Sequence, residues 1–281
     1  MKYGIVVDSG CDLKQLTQDD ENGIVFSRAP LKLQVGEKEF VDDIDLDVKE
    51  YMKEMYAYPG KTGSAAPSPG EWCSAYEKAD DIFAITLTGS LSGSYQSAMA
   101  AKDMMLEKNP DKKICVIDSK SAGPELTLLV LKIREYISMG LDFEEIVGRI
   151  QNYQKHTHLF FVLESLDNFV KNGRVSKLQG SMAGLLGIKI FGCASEQGTL
   201  EVMQKCRGKL SAYEKMVQEM VKRGYHGAKV VISHCFNQEK AEYVRDLIRQ
   251  KFPECEVQIM PTSGLCSYYA ERGGILMAFE E

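Results

Sequence analysis

Four segments in the first half of the chain are rich in hydroxyl side chains and, in most cases, glycine, a composition suited to binding an anion. They are Asp8–Gly10, Thr62–Ser68, Thr88–Ser94 and Asp118–Ser121. Hydroxyl groups, and the unpaired amides at a helix N-terminus, donate hydrogen bonds to a phosphate or a carboxylate. The same residue types also form ordinary turns and helix N-caps. The residues leave both interpretations open, and Thr88–Ser94 is the sharpest candidate.

Arg174 is a candidate for a second kind of contact. It follows Lys171–Gly173, a predicted helix end, and precedes Ser176, a predicted N-cap for a helix over Lys177–Leu186. A guanidinium group at such a junction can bind a phosphate or carboxylate through two parallel hydrogen bonds. The alternative is a surface arginine that stabilises the end of the preceding helix.

Several common catalytic motifs do not occur in the sequence. A P-loop, a G-x-G-x-x-G turn and a G-x-S-x-G nucleophile elbow are all missing. The four histidines lie in the second half, and the eight cysteines include no C-x-x-C pair that would indicate a zinc or redox site. We therefore predict no metal and no cofactor. A stand-alone hydrolase or phosphotransferase with a serine or cysteine nucleophile remains an alternative function.

The elements that must position these residues follow an α/β pattern. Short apolar runs at Tyr3–Val7, Ile82–Leu87 and Lys113–Ile117 predict strands, and helices are predicted between strands, as at Tyr95–Lys108. This alternation favours a mostly parallel sheet flanked by helices. In an open α/β sheet, ligands bind outside the carboxyl ends of the strands, where several of the hydroxyl-rich segments are expected.

The second half has a less regular pattern. It contains a predicted hairpin, Ile188–Ala194 and Thr199–Lys205, among further strands and helices. This mixture predicts a second α/β domain with a mixed sheet. We place the boundary so that residues 1–154 form the first domain and residues 155–281 form the second.

Length and charge exclude some classes of protein. The chain has 281 residues, enough for two domains, and its 34 Lys+Arg against 40 Asp+Glu give a net charge of −6. An acidic balance argues against a nucleic-acid-binding protein. No apolar run approaches the ~18 residues of a membrane-spanning helix, and the N-terminus does not resemble a signal peptide. We expect no integral membrane segment and a cytoplasmic location.

Several motifs together resemble those of the DegV family. The matching segments are Val7–Leu13, Ala66–Glu71, Leu91–Ala98, Val116–Ser119, Leu163–Leu166 and Asn172–Lys177. The resemblance covers essentially the whole chain in order. It implies a two-domain α/β carrier that holds a long-chain fatty acid between its domains and presents the carboxylate to a separate fatty acid kinase, which forms the acyl phosphate. A regulatory module that senses a lipid is the other non-enzymatic alternative.

The resemblance also implies roles for individual residues. Ser92 matches the hydroxyl that binds the carboxylate, and Gly93 and Ser94 follow it in the same motif. Ser119, at the end of another matching segment, is a further candidate ligand-binding residue. Arg174 matches the arginine associated with phosphoryl transfer by the kinase. It lies far from Ser92 in the sequence, and we expect it to be exposed at its junction.

Two family positions match less directly. Thr62 and Ser64 share the position of a family hydroxyl: counting back from Pro67 favours Ser64, whereas residue identity favours Thr62. The family often carries a histidine near its C-terminal end, and Cys266 most nearly occupies that position here. A thiol carries no positive charge, so we expect an altered head-group site at Cys266.

Overall fold

The structure is a computed structural model that describes residues 2–16, 23–175, 188–208 and 210–281. The helix predicted over Lys177–Leu186, with Ser176 as its cap, lies outside the described residues. Within them the chain forms three β-sheets surrounded by helices.

The bounds of the elements are as follows. The strands are β1 (Tyr3–Asp8), β2 (Val25–Ala29), β3 (Lys32–Val35), β4 (Lys38–Val41), β5 (Thr62–Ala65), β6 (Asp81–Thr86), β7 (Lys113–Asp118), β8 (Thr157–Leu163), β9 (Ile188–Ala194), β10 (Leu200–Arg207), β11 (Val230–His234), β12 (Val257–Pro261) and β13 (Ile275–Glu280). The helices are α1 (Val48–Ala57), α2 (Pro69–Tyr76), α3 (Ser94–Lys108), α4 (Pro124–Ser138), α5 (Phe143–Tyr153), α6 (Asp167–Lys171), α7 (Ser211–Lys222), α8 (Gln238–Lys251) and α9 (Gly264–Ala270).

The first half is built around a parallel four-stranded sheet with the order β2-β1-β6-β7. Successive residues of a strand face opposite sides. Val6 on β1 therefore packs in the core beneath α2 and α3, whereas Ile5 and Val7 belong to the core that contains α4 and α5. This arrangement confirms the predicted parallel sheet flanked by helices.

A small antiparallel sheet with the order β4-β3-β5 lies beside the parallel one. Its β3–β4 hairpin turns at Gly36, whose φ of +62° suits glycine, as the sequence predicts. The sequence predicts a loop over Tyr58–Pro67, and this is wrong for Thr62–Ala65, because these residues form strand β5 and pair with β3. Their small and polar side chains carry no strand pattern, so pairing with β3 determines their conformation.

The second half contains a six-stranded sheet with the order β10-β9-β8-β13-β11-β12. Strands β11 and β12 are parallel, whereas the other neighbouring pairs are antiparallel. This pattern confirms the predicted mixed sheet. Helices α7 and α8 contribute buried residues to the core on one face of it.

Local helix signals in the sequence are largely matched by the structure. The capping box at Ser68 and Glu71 is present at the start of α2. The sequence also predicts a capping box at Asp142 and Glu145, at the start of α5, but only half of it forms. Asp142 accepts the Glu145 amide at 2.9 Å, whereas the Glu145 carboxylate pairs with Arg149 at 2.7 Å. None of the helices in the described ranges is long and apolar enough to cross a membrane.

Two helices join the halves of the molecule. Helix α4 packs against strands of both large sheets, and one continuous core draws residues from both halves. Helix α9, which the sequence does not predict, starts where the Gly264 and Leu265 amides each donate to Asp42 at 2.8 Å. A helix of the second half is thus capped by a residue of the first. The domain boundary after residue 154 stays a prediction.

Candidate functional site

An apolar cavity of about 950 Å³, counted with its open mouth, lies between the two large sheets. Leu159, Phe161 and Leu163 alternate along β8, so their side chains project from one face of the strand into the cavity. The other large apolar residues in the wall are Leu31, Leu87, Leu91, Phe169, Leu200, Leu265 and Leu276. A cavity with this lining suits a long apolar ligand.

Three polar side chains of the cavity wall, those of Ser64, Tyr269 and Arg174, are neighbours, and Arg174 also contacts the backbone next to Ser92. The Ser64 hydroxyl lies 3.2 Å from the Tyr269 hydroxyl, within hydrogen-bond distance. The Arg174 Nε donates to the carbonyl oxygen of Leu91, the residue before Ser92, at 3.4 Å. Burial raises the pKa of Tyr269, while the bond to Ser64 and the charge of Arg174 act in the opposite direction. Two hydroxyl groups and a guanidinium group therefore lie together at one part of a mainly apolar cavity, close to the Ser92 loop.

The structure separates Ser92 and Gly93 from Ser94. Ser92 and Gly93 line the cavity. Ser94 is fully buried at the start of α3, and its hydroxyl donates to Asp8 at 2.5 Å. The Ser94 amide donates to the Ser92 hydroxyl at 3.2 Å, so this hydroxyl stays close to the helix start. Of the three residues predicted from this motif, Ser94 does not face the cavity.

The Thr88–Ser94 segment is also held by the second half of the molecule. The Thr88 hydroxyl donates to the Gly198 carbonyl at 2.8 Å, and the Ser90 hydroxyl donates to the Gln197 carbonyl. Both acceptors lie in the turn between β9 and β10. Two of the four hydroxyls in this segment thus connect the halves, and they are not free for a ligand.

The structure distinguishes Ser64 from Thr62. Ser64 lines the cavity, whereas Thr62 is buried and its hydroxyl lies 2.9 Å from that of Tyr268. The Tyr268 hydroxyl also accepts from the Asn172 side chain at 2.7 Å. Thr62 is therefore part of a hydrogen-bonded contact between β5 and α9, and Ser64 is the better candidate for a ligand contact.

Ser119 and Cys266 occupy different surroundings. Ser119 lines a polar cleft that adjoins the cavity at Lys120 and Leu159, and its hydroxyl donates to the Ser121 carbonyl at 3.1 Å. Cys266 lines the apolar cavity, and its thiol donates to the Gly10 carbonyl at 3.4 Å. Burial, followed by the charge of Asp12, raises the pKa of Cys266 well above its usual value. Ser119 therefore does not line the apolar cavity, whereas Cys266 faces it as a neutral thiol.

Arg174 is closer to the Ser92 loop than the sequence suggests. It lines the same cavity, is only partly exposed, and donates to the Asn172 carbonyl at 2.6 Å through Nη1. The expectation that Arg174 is exposed is wrong, because α6 ends at Lys171 and Gly173 turns the chain back with a φ of +71°. The guanidinium group therefore belongs to the same site as the hydroxyls.

Sequence reasoning missed Tyr269. It lies in α9, with its ring centroid 4.6 Å from that of Phe169. Helix α9 has seven residues and follows a strand with only Thr262 and Ser263 between them. The Tyr268–Tyr269 pair is the only local signal, and it does not reveal which ring faces the cavity.

The fold and the cavity define a class of protein: two α/β halves that enclose an apolar cavity and place hydroxyl groups and an arginine at one part of it. The sequence model of the DegV family matches residues 2–280. A DegV domain-containing protein of Streptococcus pneumoniae is 48% identical over 280 residues, which cover 100% of this chain and 99% of that protein. The chain belongs to the DegV family, as its motifs predict.

Two solved structures show the same fold. The fatty acid kinase (Fak) B3 protein of Streptococcus pneumoniae, loaded with linoleic acid, is 48% identical and has a TM-score of 0.96, covering 100% of this chain and 99% of that one. A DegV family protein of Eubacterium eligens, loaded with heptadecanoic acid, is 40% identical with a TM-score of 0.94, covering 99% of each chain. The resemblance therefore extends over both halves of the molecule.

Proposed function

We propose that this protein binds a long-chain fatty acid in the cavity between its sheets. The observation that carries the proposal is that Ser64, Ser92 and Arg174 line the same mainly apolar cavity, with Arg174 bonded to the backbone next to Ser92. The acyl chain would lie along the face of β8 that carries Leu159 and Leu163. The two similar proteins that were crystallised with linoleic and heptadecanoic acids support this ligand class.

The chemistry of the site matches both parts of such a ligand. Each buried methylene group contributes about 0.8 kcal/mol, so an apolar cavity can hold a long chain tightly. A carboxylate that leaves water needs charged or hydrogen-bonding partners. The hydroxyls of Ser64, Ser92 and Tyr269 and the guanidinium group of Arg174 provide such partners.

The experiment is extraction of the purified protein with organic solvent, followed by mass spectrometry and by titration of the stripped protein with linoleic acid. We expect close to one fatty acid per chain in the extract and a higher thermal midpoint after reloading, because a ligand that binds the folded state stabilises it. A protein that extracts empty and whose midpoint is unchanged by added fatty acid would contradict the proposal.

The protein would act as a carrier that presents the carboxylate to a separate fatty acid kinase, which forms the acyl phosphate. The similar pneumococcal protein is a fatty acid kinase (Fak) B3 protein, which supports this partner. Arg174, beside the Ser92 loop, is suited to stabilise the transferring phosphoryl group. The cytoplasmic location stays a prediction of the sequence.

The cysteine chemistry gives little support to a stand-alone hydrolase. Burial raises the pKa of Cys235 to about 11 and raises that of Cys266 well above the usual range, so both thiols are neutral near pH 7 and poor nucleophiles. The purified protein should not turn over generic ester or phosphate substrates. Turnover that survives delipidation and is lost in Cys266→Ala would favour the hydrolase instead.

A further inference from the structure

The carboxylate of Asp8 is fully buried at the end of β1, directly behind the Ser92 loop. Its Oδ1 accepts the Gly10 amide at 2.9 Å. Its Oδ2 accepts the Leu87 amide at 2.9 Å and the Ser94 hydroxyl at 2.5 Å. One carboxylate thus holds both ends of the loop that contains Ser92.

The link from Asp8 to the cavity is short. Asp8 fixes Ser94, and the Ser94 amide donates to the Ser92 hydroxyl at 3.2 Å. On the far side of the loop, the Asp118 carboxylate accepts the Gly89 amide at 3.0 Å. Asp8 on β1 and Asp118 on β7, the strands on either side of β6, therefore hold the loop from both sides. Of these two carboxylates, Asp8 bonds to Ser94, next to the Ser92–Gly93 part of the loop.

Asp8 is costly to bury. Desolvation raises its pKa to about 7, while the three hydrogen bonds and the nearby charge of Arg28 act in the opposite direction. A buried carboxylate with several directed hydrogen bonds fixes one arrangement of the segments that it joins. The arrangement here is the one in which Ser92 and Gly93 face the cavity.

We propose that Asp8 is a positioning residue for the fatty-acid head group, acting through Ser94 to hold Ser92 toward the ligand. This inference rests on the proposed fatty-acid binding. It assigns a function to the first hydroxyl-rich segment, Asp8–Gly10, without placing that segment in contact with the ligand.

The test measures the affinity of stripped protein for linoleic acid in two variants. Asp8→Asn replaces one carboxylate oxygen by an NH2 group, which cannot accept the hydrogen bond that the Gly10 or Leu87 amide donates there. Ser94→Ala removes only the hydroxyl that bonds to Asp8. We expect each to weaken binding about tenfold or more. Ser27→Ala is the matched control: it removes a buried hydroxyl on β2 of the same sheet that has no hydrogen-bond partner among the described residues, and affinity should not change.

A second measurement separates positioning from general loss of stability. In a Ser92→Ala background, Asp8→Asn and Ser94→Ala should cause little further loss of affinity, because their effect passes through Ser92. If Asp8→Asn does not fold, Ser94→Ala carries the test. Folded variants within twofold of wild type, or an undiminished loss in the Ser92→Ala background, would overturn the positioning role alone. Failure of the wild type to bind linoleic acid would overturn the proposed function as well.

Discussion

Ser92 presents the hydroxyl that the site most directly offers to a carboxylate. Its side chain lines the cavity and is held by the Ser94 amide. Replacement of Ser92 by alanine should weaken linoleic acid binding by about 1.5–3 kcal/mol, the usual contribution of a hydrogen bond to a charged group. Isothermal titration of stripped protein measures this loss. Ser74→Ala, which removes an exposed hydroxyl from α2, is the control and should leave affinity unchanged. If the two variants bind linoleic acid equally well, Ser92 has no contact with the ligand and only supports the start of α3.

Arg174 contributes charge and planar geometry, and two substitutions separate them. Arg174→Lys keeps the charge near Ser92, so we expect fatty-acid affinity close to wild type. Arg174→Ala removes the charge and the contact to the Leu91 carbonyl, and affinity should fall about tenfold, or ~1.4 kcal/mol. Both variants should form acyl phosphate poorly with a cognate kinase, since an ammonium group cannot reproduce the guanidinium fork.

The measurement for Arg174 is lipid titration beside a coupled kinase assay on the same preparations. Normal kinase turnover in both variants would leave Arg174 as a residue that only supports the loop. Loss of lipid binding in Arg174→Lys would show that the geometry of the guanidinium group matters for the ligand itself.

At the scale of elements, strand β5 and helix α9 form the wall where a strand of the first half meets a helix of the second. Thr62 and Ser64 project from the same face of β5, and their hydroxyls contact Tyr268 and Tyr269 of α9. Only Ser64 also lines the cavity. Neighbouring positions of one strand therefore have different functions: Thr62 holds the wall together, and Ser64 faces the ligand.

This division predicts opposite results for two substitutions. Thr62→Val should lower the free energy of unfolding by about 1 kcal/mol, because a buried hydrogen bond to Tyr268 is lost, and should change affinity little. Ser64→Ala should weaken fatty-acid binding with a smaller effect on stability. Denaturant unfolding and lipid titration of both variants check this. If Thr62→Val loses more affinity than Ser64→Ala, Thr62 and not Ser64 is the residue that contacts the ligand.

At the scale of the whole molecule, the two halves share one core. Helix α4 packs on both large sheets, and Asp42 of the first half caps α9 of the second. We therefore expect the ligand-free protein to unfold in a single cooperative transition, with equal calorimetric and van't Hoff enthalpies. Two separated transitions in the calorimeter would show that the halves fold independently. Asp42→Ala, which removes the cap, should weaken the coupling.

Buried carboxylates make the stability of the molecule depend on pH. Desolvation raises the folded-state pKa of Asp8 to about 7, and the charge of Arg28 on β2 only partly opposes it. An unfolded aspartate ionises near pH 4, so folding takes up a proton between these values and the contribution of Asp8 to stability falls as pH rises toward 7. The stability advantage of wild type over Asp8→Asn should be roughly 2 kcal/mol greater at pH 5 than at pH 7.5. Urea unfolding at both pH values measures this, and a pH-independent difference would contradict it.

Much of this architecture can be predicted from local sequence. Apolar runs indicate the parallel strands, the Ser68–Glu71 box marks the start of α2, and Gly36 marks a hairpin turn. These features depend on side-chain periodicity and on contacts between residues close in the chain. Strand β5 and helix α9 cannot be predicted in this way. The backbone of β5 is fixed by pairing with β3, and the start of α9 is fixed by hydrogen bonds to Asp42.

The composition of the hydroxyl-rich segments is a property of the sequence, and it predicts an anion site at the edge of the sheet. Which hydroxyls face the cavity is decided by tertiary structure. Ser92 and Ser94 are two residues apart, as are Thr62 and Ser64, and no local signal separates the members of either pair. Ser94 is drawn inward by the buried carboxylate of Asp8, and Thr62 by the hydroxyl of Tyr268, 206 positions away in the sequence. Contacts at such separations form only when the whole chain folds, so the sequence indicates the kind of site and the packing selects its residues.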